Sequence, residues 1–272
     1  MTLGKKLRGV KRFPLSLIFS MIGSILILFT ILTLFNMIFR QLILEPTGLY
    51  KAATDPLVIE SILLTLYTSF LATLIAVIFG TPLAYVLARH EFPGKHIVES
   101  IIDVPVIIPH SVAGIALYTL LMRRSAIGTA FQNIGIVFED SMWGIVAAML
   151  FVSTSFYINA AREGFQSVNP RLERVARTLG ASQWRAFHQI AMPLALRHLF
   201  SGAIMAWARG ISEFGAVIMI AFYPMIAPVL IYYKFTTGGL KGSQPIAVLL
   251  IIICFAVFIV LRVYSKYWGR KR

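Results

Sequence analysis

A chain of 272 residues that is 58% hydrophobic and only 13% charged is too apolar for an ordinary soluble domain, so the bilayer is the expected solvent. Its formal net charge of +14 raises nucleic-acid binding as a second class, which the placement of the charges below excludes. Cys254 is the only cysteine and sits in an apolar run, so neither a disulfide nor a cysteine-based metal site forms within one chain.

A spanning helix needs about 20 apolar residues, because roughly 30 Å of hydrocarbon is crossed at about 1.5 Å per residue. The first run, Leu15 to Phe39, follows a basic start, is too long for a signal-peptide core and lacks a cleavage site, so it reads as a retained span. The second, Leu57 to Ala88, exceeds one crossing and contains Pro82, which predicts a kink or an interfacial end. The third, Val104 to Met122, opens with Pro105 and Pro109, which disfavour a straight helix. Met142 to Ala161 and Leu199 to Tyr223 follow as the fourth and fifth. Beyond them, Pro224 and Pro228 interrupt an apolar run, Met225 to Tyr233, too short to cross. That run is expected at the outer interface or re-entering, with Gly238 and Gly239 turning the chain back before a sixth span, Ile246 to Leu261. The fold class is therefore an all-α integral membrane protein of six transmembrane helices, one transmembrane domain over residues 1–272, with no internal repeat.

Orientation follows from Lys and Arg, which are enriched in cytoplasmic loops. With the N-terminus inside, only Arg40, Lys51, Arg123, Arg124, Lys234 and Lys241 of the 25 face outward. Arg209 lies within a span, which leaves 18 inside. Both termini are then expected in the cytoplasm. The basicity lies at membrane boundaries with no recognition fold around it, so no nucleic-acid partner is expected, and membrane lipid is.

The longest polar stretch, residues 162–198, falls on the inner side. Asn169 and Pro170 are a good helix start, Gly180 can take the left-handed conformation that ends that helix, and Ser182 can cap a second one carrying Trp184, Phe187 and His188. Pro193 closes that piece or begins the next helix. By these features alone the stretch also fits an interfacial amphipathic loop.

Leu172-Glu173-Arg174-Val175-Ala176-Arg177-Thr178-Leu179-Gly180, continuing to Ile190 and Met192-Pro193, resembles the coupling motif of ATP-binding-cassette importer permeases: Glu-Ala-Ala, three residues, Gly, nine residues, Ile-x-Leu-Pro. Ala176, Gly180, Ile190 and Pro193 fall in register. Arg174, Val175 and Met192 depart from the pattern, and Glu173 stands one place early, so its loss is expected to matter less than that of Gly180. Ala208-Arg209-Gly210-Ile211-Ser212-Glu213-Phe214-Gly215-Ala216 is similar to a segment of molybdate and tungstate permeases, with sulfate permeases close behind. Pro82 to Tyr85, Phe92 to Lys95, and Val106 to Leu117 look like the same group. The resemblance implies a homodimer that moves a tetrahedral oxyanion by alternating access, with two ATPase subunits below and an extracytoplasmic oxyanion-binding protein outside. The chain has no phosphate-binding loop of its own, so it needs no cofactor, is not itself an enzyme, and leaves ATP to the partner.

Arg209 and Glu213 each lie ten residues from the nearer end of the fifth run, about 15 Å deep at 1.5 Å per residue, four apart and able to pair. They are read either as a self-neutralised lock of the bundle or as residues of the gate at the dimer interface. A high-affinity anion site is not expected, because an oxyanion avoids Glu. Gly210 and Gly215 could allow close helix approach there. Ser153, Thr154, Ser155 and Asn159 give the fourth span a polar patch that either lines the path or bonds neighbouring helices. Glu99, Asp103 and His110 lack a metal-ligand partner set and are expected at interfaces, as are the span-end indoles Trp143 and Trp268. An ion-gradient transporter is the rival class, but Glu213 is the only deep acidic residue. A membrane-anchored enzyme fits less well, since no nucleophile, base and orienting group stand out together.

Overall fold

The computed structural model describes residues 15–270, and their side chains as far as residue 261. The basic residues at 5–12, the side chains of the basic residues from 262 onward, and Trp268 lie outside this description. Helices occupy most of the described chain: α1 (Leu15–Phe39), α2 (Pro46–Thr54), α3 (Pro56–Arg89), α4 (Lys95–Ile107), α5 (His110–Leu121), α6 (Ala126–Gln132), α7 (Met142–Ser167), α8 (Pro170–Thr178), α9 (Gln183–Ala186), α10 (Met192–Ile211), α11 (Gly215–Ile220) and α12 (Ala227–Arg270). Five helical stretches are long and apolar enough to cross a membrane, and a bent pair, α4 with α5, makes a sixth.

The centre of the bundle is α3 packed on α7 and α10. Asp55 starts α3 by accepting the Leu57 amide through Oδ1 at 2.9 Å, and Pro56 occupies the first turn. Its buried face is built of small and hydroxylated residues, among them Ser61, Thr65, Thr68, Ala72, Thr73, Ala76, Gly80 and Ala84. Small side chains let helices approach closely where the solvent is itself apolar, and hydroxyls can return to their own backbone, as Thr65 Oγ1 does to the Ser61 carbonyl at 2.6 Å. At Gly80 an added Cβ would stand 2.9 Å from the Tyr157 ring, and at Gly202 2.8 Å from Ala160 Cβ. One core cluster gathers Ile145, Met149 and Val152 of α7 with Ala113 of α5 and Val217 of α11, and a second joins Ala84 and Leu87 to Tyr157, Phe165 and Ala195. No residue of α1 is buried within this chain.

Two expectations change and two are refined. Pro82 does not interrupt the second span, which runs as one helix of 34 residues, longer than a single crossing needs. The third span is not one straight helix, as its prolines predict: α4 and α5 meet at 112°, because Pro109 has no N–H to give and holds Ile108 in extended backbone at ψ 147°. The helix that carries the fifth span is Gln183–Ile211, which begins in the loop, runs through a π turn at Phe187–Ala191 and ends well before Tyr223. The helix stops at Ser212, and residues 215–220 form the separate α11. Lastly, the run Met225 to Tyr233 is no interfacial strip: Ile226, Val229 and Leu230 are fully buried, and Ala227 and Leu230 pack on Ala52, Val58 and Ile62. Gly239, at φ 63°, does interrupt α12 as its position suggested, and Ile246 to Leu261 lies beyond that kink.

Candidate functional sites: a projecting loop and a buried polar junction

Residues 162–198 form the bent projection that their caps predict. Asn169 Oδ1 accepts the Arg171 amide at 3.0 Å with Pro170 in the first turn of α8. Gly180, at φ +93°, ends α8: its amide donates to the Arg177 carbonyl at 3.1 Å, and the Ala181 amide to the Ala176 carbonyl at 3.0 Å. This pair of reversed bonds is the glycine-terminated helix end in which the carbonyls left free by the last turn are satisfied. Ser182 Oγ then accepts the Arg185 amide at 3.2 Å to start α9. Pro193 does not close the second piece but sits in the first turn of α10, and Ile190 lies in the π turn before it. Leu172, Val175, Leu179 and Trp184 are exposed, giving the projection an apolar outer face.

Glu173 points the other way. It is buried, pairs with Arg89 Nη2 at 2.7 Å, and accepts from the Tyr85 hydroxyl at 2.5 Å. Arg89 Nη2 also donates to the Val168 carbonyl at the C-terminal end of α7, at 3.1 Å. The register that places Glu173 one position off the acidic site thus underrates it, since removing one partner of a buried pair costs about 3–5 kcal/mol. Arg89 and Tyr85 are functional candidates that sequence reasoning missed. Their only local signal is the four-residue spacing that sets them on one face at the end of a span.

The second site is where the two broken spans meet. Arg209 Nη2 donates to Glu213 Oε2 at 2.8 Å, so the two charges do pair. Glu213 is not within a helix, however: it lies in the break after α10, only 1% exposed, and its Oε1 accepts the Ala216 amide at 2.7 Å, capping α11. Arg209 Nη1 reaches Ser212 Oγ at 3.2 Å. His110, the first residue of α5, joins them: Arg209 Nη2 lies 2.9 Å from its Nε2, and Glu213 Oε2 lies 3.3 Å from its Nδ1. Placing His110 at a plain interface is corrected by this contact. The glycines allow it, since an added Cβ on Gly215 would meet His110 Cβ at 2.8 Å, on Gly114 the Ala216 carbonyl at 2.6 Å, and on Gly210 Ser69 Cβ at 3.1 Å.

The polar patch of α7 resolves into separate roles. Ser153 Oγ and Thr154 Oγ1 return to the carbonyls of Met149 and Leu150, each at 2.6 Å. Ser155 Oγ donates to the Ile102 carbonyl and Asn159 Nδ2 to Asp103 Oδ1 at 2.7 Å, both across to α4, while Arg162 Nη1 pairs with Glu99 at 2.9 Å. Glu99 and Asp103 are therefore cross-helix partners rather than interfacial charges. Ser155 and Asn159 also border a cleft of about 360 Å³ with Asp103 and Glu163. Among the described residues, no group of three His, Cys, Asp or Glu is placed to hold a metal ion. Arg89 and the Ser69 contact of Gly210 are 20 residues apart on α3, about 30 Å at 1.5 Å per residue, so loop and junction are distinct sites.

Residues 80–270 match the family model described as "Binding-protein-dependent transport system inner membrane component". The chain is 48% identical over 252 residues to the molybdate/tungstate transport system permease protein WtpB of Pyrococcus furiosus, covering 93% of this chain and 96% of that one. It is 43% identical to the protein of that name from Methanocaldococcus jannaschii, over 87% and 94% of the two chains. A probable sulfate transport system permease of Chlorokybus atmophyticus is 36% identical, over 77% and 75%. Among solved structures, a bacterial importer of the acidic polysaccharide alginate superposes with a TM-score of 0.68 at 18% identity, covering 94% of this chain and 95% of that one, a likeness of fold.

Proposed function

Because this chain belongs to the family of binding-protein-dependent transport inner membrane components and is a multi-pass protein of the cell membrane, we propose that it is the permease subunit of an ATP-driven importer that moves molybdate or tungstate. The observation that carries the substrate is the 48% identity, sustained over nearly the whole of both chains, to molybdate/tungstate permeases. A sulfate permease is the second reading, favoured by sulfate relatives such as the one at 36% identity. Hydrolysis falls to a separate ATPase, two copies under a homodimer of this chain, with an oxyanion-binding protein outside. Ala176, Gly180, Ile190 and Pro193 shape the loop that seats in the ATPase, and Arg209, Glu213 and His110 close the path where α5 and α11 pack together.

Passage requires that an anion enter the site and also leave it. A free Arg209 would hold an oxyanion, whereas one already bonded to Glu213 and His110 presents a largely neutralised charge. The test is ATP-dependent accumulation of labelled molybdate and tungstate in proteoliposomes holding the assembled complex and its loaded binding protein. Accumulation that excess sulfate fails to suppress is expected. Preferential sulfate uptake, or uptake that follows an ion gradient with the ATPase inactivated, would overturn the proposal.

The distribution of 18 Lys and Arg on one side against six on the other supports cytoplasmic termini and a cytoplasmic loop. In a Cys254→Ser background, Gln183→Cys is expected to react with an impermeant thiol reagent only after cells are opened. Labelling of intact cells would reverse the topology.

A further inference from the structure

A projecting loop that is pushed from one side can drive a bundle only through the elements it is attached to. The loop of residues 162–198 is covalently continuous with α7 and, through the π turn, with α10; it has no covalent link to α3. Within the loop, α8 packs chiefly on α9 and the π turn, that is, on the loop itself. A cleft of about 700 Å³, bordered by Thr81, Tyr85, His90, Trp184 and His188, lies between one side of the last turns of α3 and the second half of the loop, while on the other side Ala84 and Leu87 share an apolar cluster with Phe165 and Ala191 that has no directional bond to fix it. The polar joint between the two, by contrast, is specific. The Glu173 carboxylate is held by Arg89 and the Tyr85 hydroxyl, and the Tyr85 ring stands edge-on to Phe187 and Phe165 with centroids 4.8 and 5.4 Å away. Arg89 in turn holds the Val168 carbonyl, so one guanidinium binds the ends of three helices.

We infer that Arg89, Glu173 and Tyr85 form a clamp that makes α3 move with the loop, so that the force delivered to α8 reaches the long central helix as well as α10. The inference rests on the importer reading above. Its physical basis is that the loop cannot slide from α3 without leaving a carboxylate and a guanidinium, each less than a tenth exposed, without their partners. The three are positioning residues, since none of them faces the outer surface that would meet an ATPase or lies in the polar junction.

The test uses the whole complex, reconstituted with its ATPase and loaded binding protein. Glu173→Gln keeps the shape of the clamp and removes its charge. It is expected to retain the ATPase on co-purification and to keep stimulated hydrolysis close to native, while uptake per ATP falls about tenfold. Spin labels at His90 and Thr178, in the Cys254→Ser background, supply a readout that a merely stabilising pair would not move. In the otherwise native clamp their separation stays the same with and without ATP, and in Glu173→Gln it becomes nucleotide-dependent. If Glu173→Gln does not assemble, Arg89→Lys, which keeps the charge and loses the planar fork, is measured in the same way. An unchanged ratio of uptake to hydrolysis overturns the clamp, as does a proportional fall of both with loss of the ATPase, which assigns Glu173 to docking alone. A native complex without ATP-driven uptake would instead remove the importer reading itself.

Discussion

Gly180→Val should yield a protein that inserts normally, keeps its spans, and no longer stimulates ATP hydrolysis when the loaded binding protein is added. The reason is conformational rather than steric. No atom lies within 4 Å of a Cβ built at this position, yet the backbone stands at φ +93°. A non-glycine residue in left-handed backbone costs at least about 1–2 kcal/mol, and a β-branched one resists it most. The chain can escape that strain by abandoning the turn, which breaks the two bonds to the Ala176 and Arg177 carbonyls and re-aims Leu172, Val175 and Leu179. The hydrophobic spans lie outside the turn and are untouched. Gly180→Asn should be the mildest replacement, because Asn visits this region, with Gly180→Ala between the two. Hydrolysis, uptake and ATPase co-purification measured across the series check this order. Full uptake by Gly180→Val would reduce the loop to an interfacial connector.

At the polar junction, replacing Arg209 or Glu213 alone should be worse than replacing both. Each single change strands a charge among buried groups, at about 3–5 kcal/mol, whereas an apolar pair of similar volume is often close to neutral. The structure adds an asymmetry. Glu213→Leu also removes the cap from the Ala216 amide, so it should cost more than Arg209→Met, which leaves that cap in place and His110 Nδ1 3.3 Å from Glu213 Oε2. Replacing His110 by Leu should therefore harm the Arg209→Met protein more than it harms the native one. Thermal unfolding in detergent and uptake of the singles, the double and the His110 combinations measure these couplings. Strict additivity would mean that the three groups act independently and that the junction is no unit.

The parts of this protein legible in its sequence are those set by interactions a few residues apart. Long apolar runs declared the membrane, and Asn169, Gly180 and Ser182 declared the loop's bent shape, because a cap or a left-handed turn is fixed by one side chain and the adjacent backbone. The helix of the fifth span ends earlier than expected for a related reason. A hydropathy average counts Gly215 to Ile220 as a continuation, while the carboxylate of Glu213, bonded to the Ala216 amide, starts a new helix there. Only the tertiary structure paired Glu173 with Arg89 across 84 positions and brought His110 to Arg209 across 99. Inside an apolar bundle any ionised group must find a partner, so the sequence announces that Glu213 and Arg209 need company. Which residues supply it depends on where two broken helices cross, and that crossing is decided by glycines and small side chains whose packing has no signature along the chain.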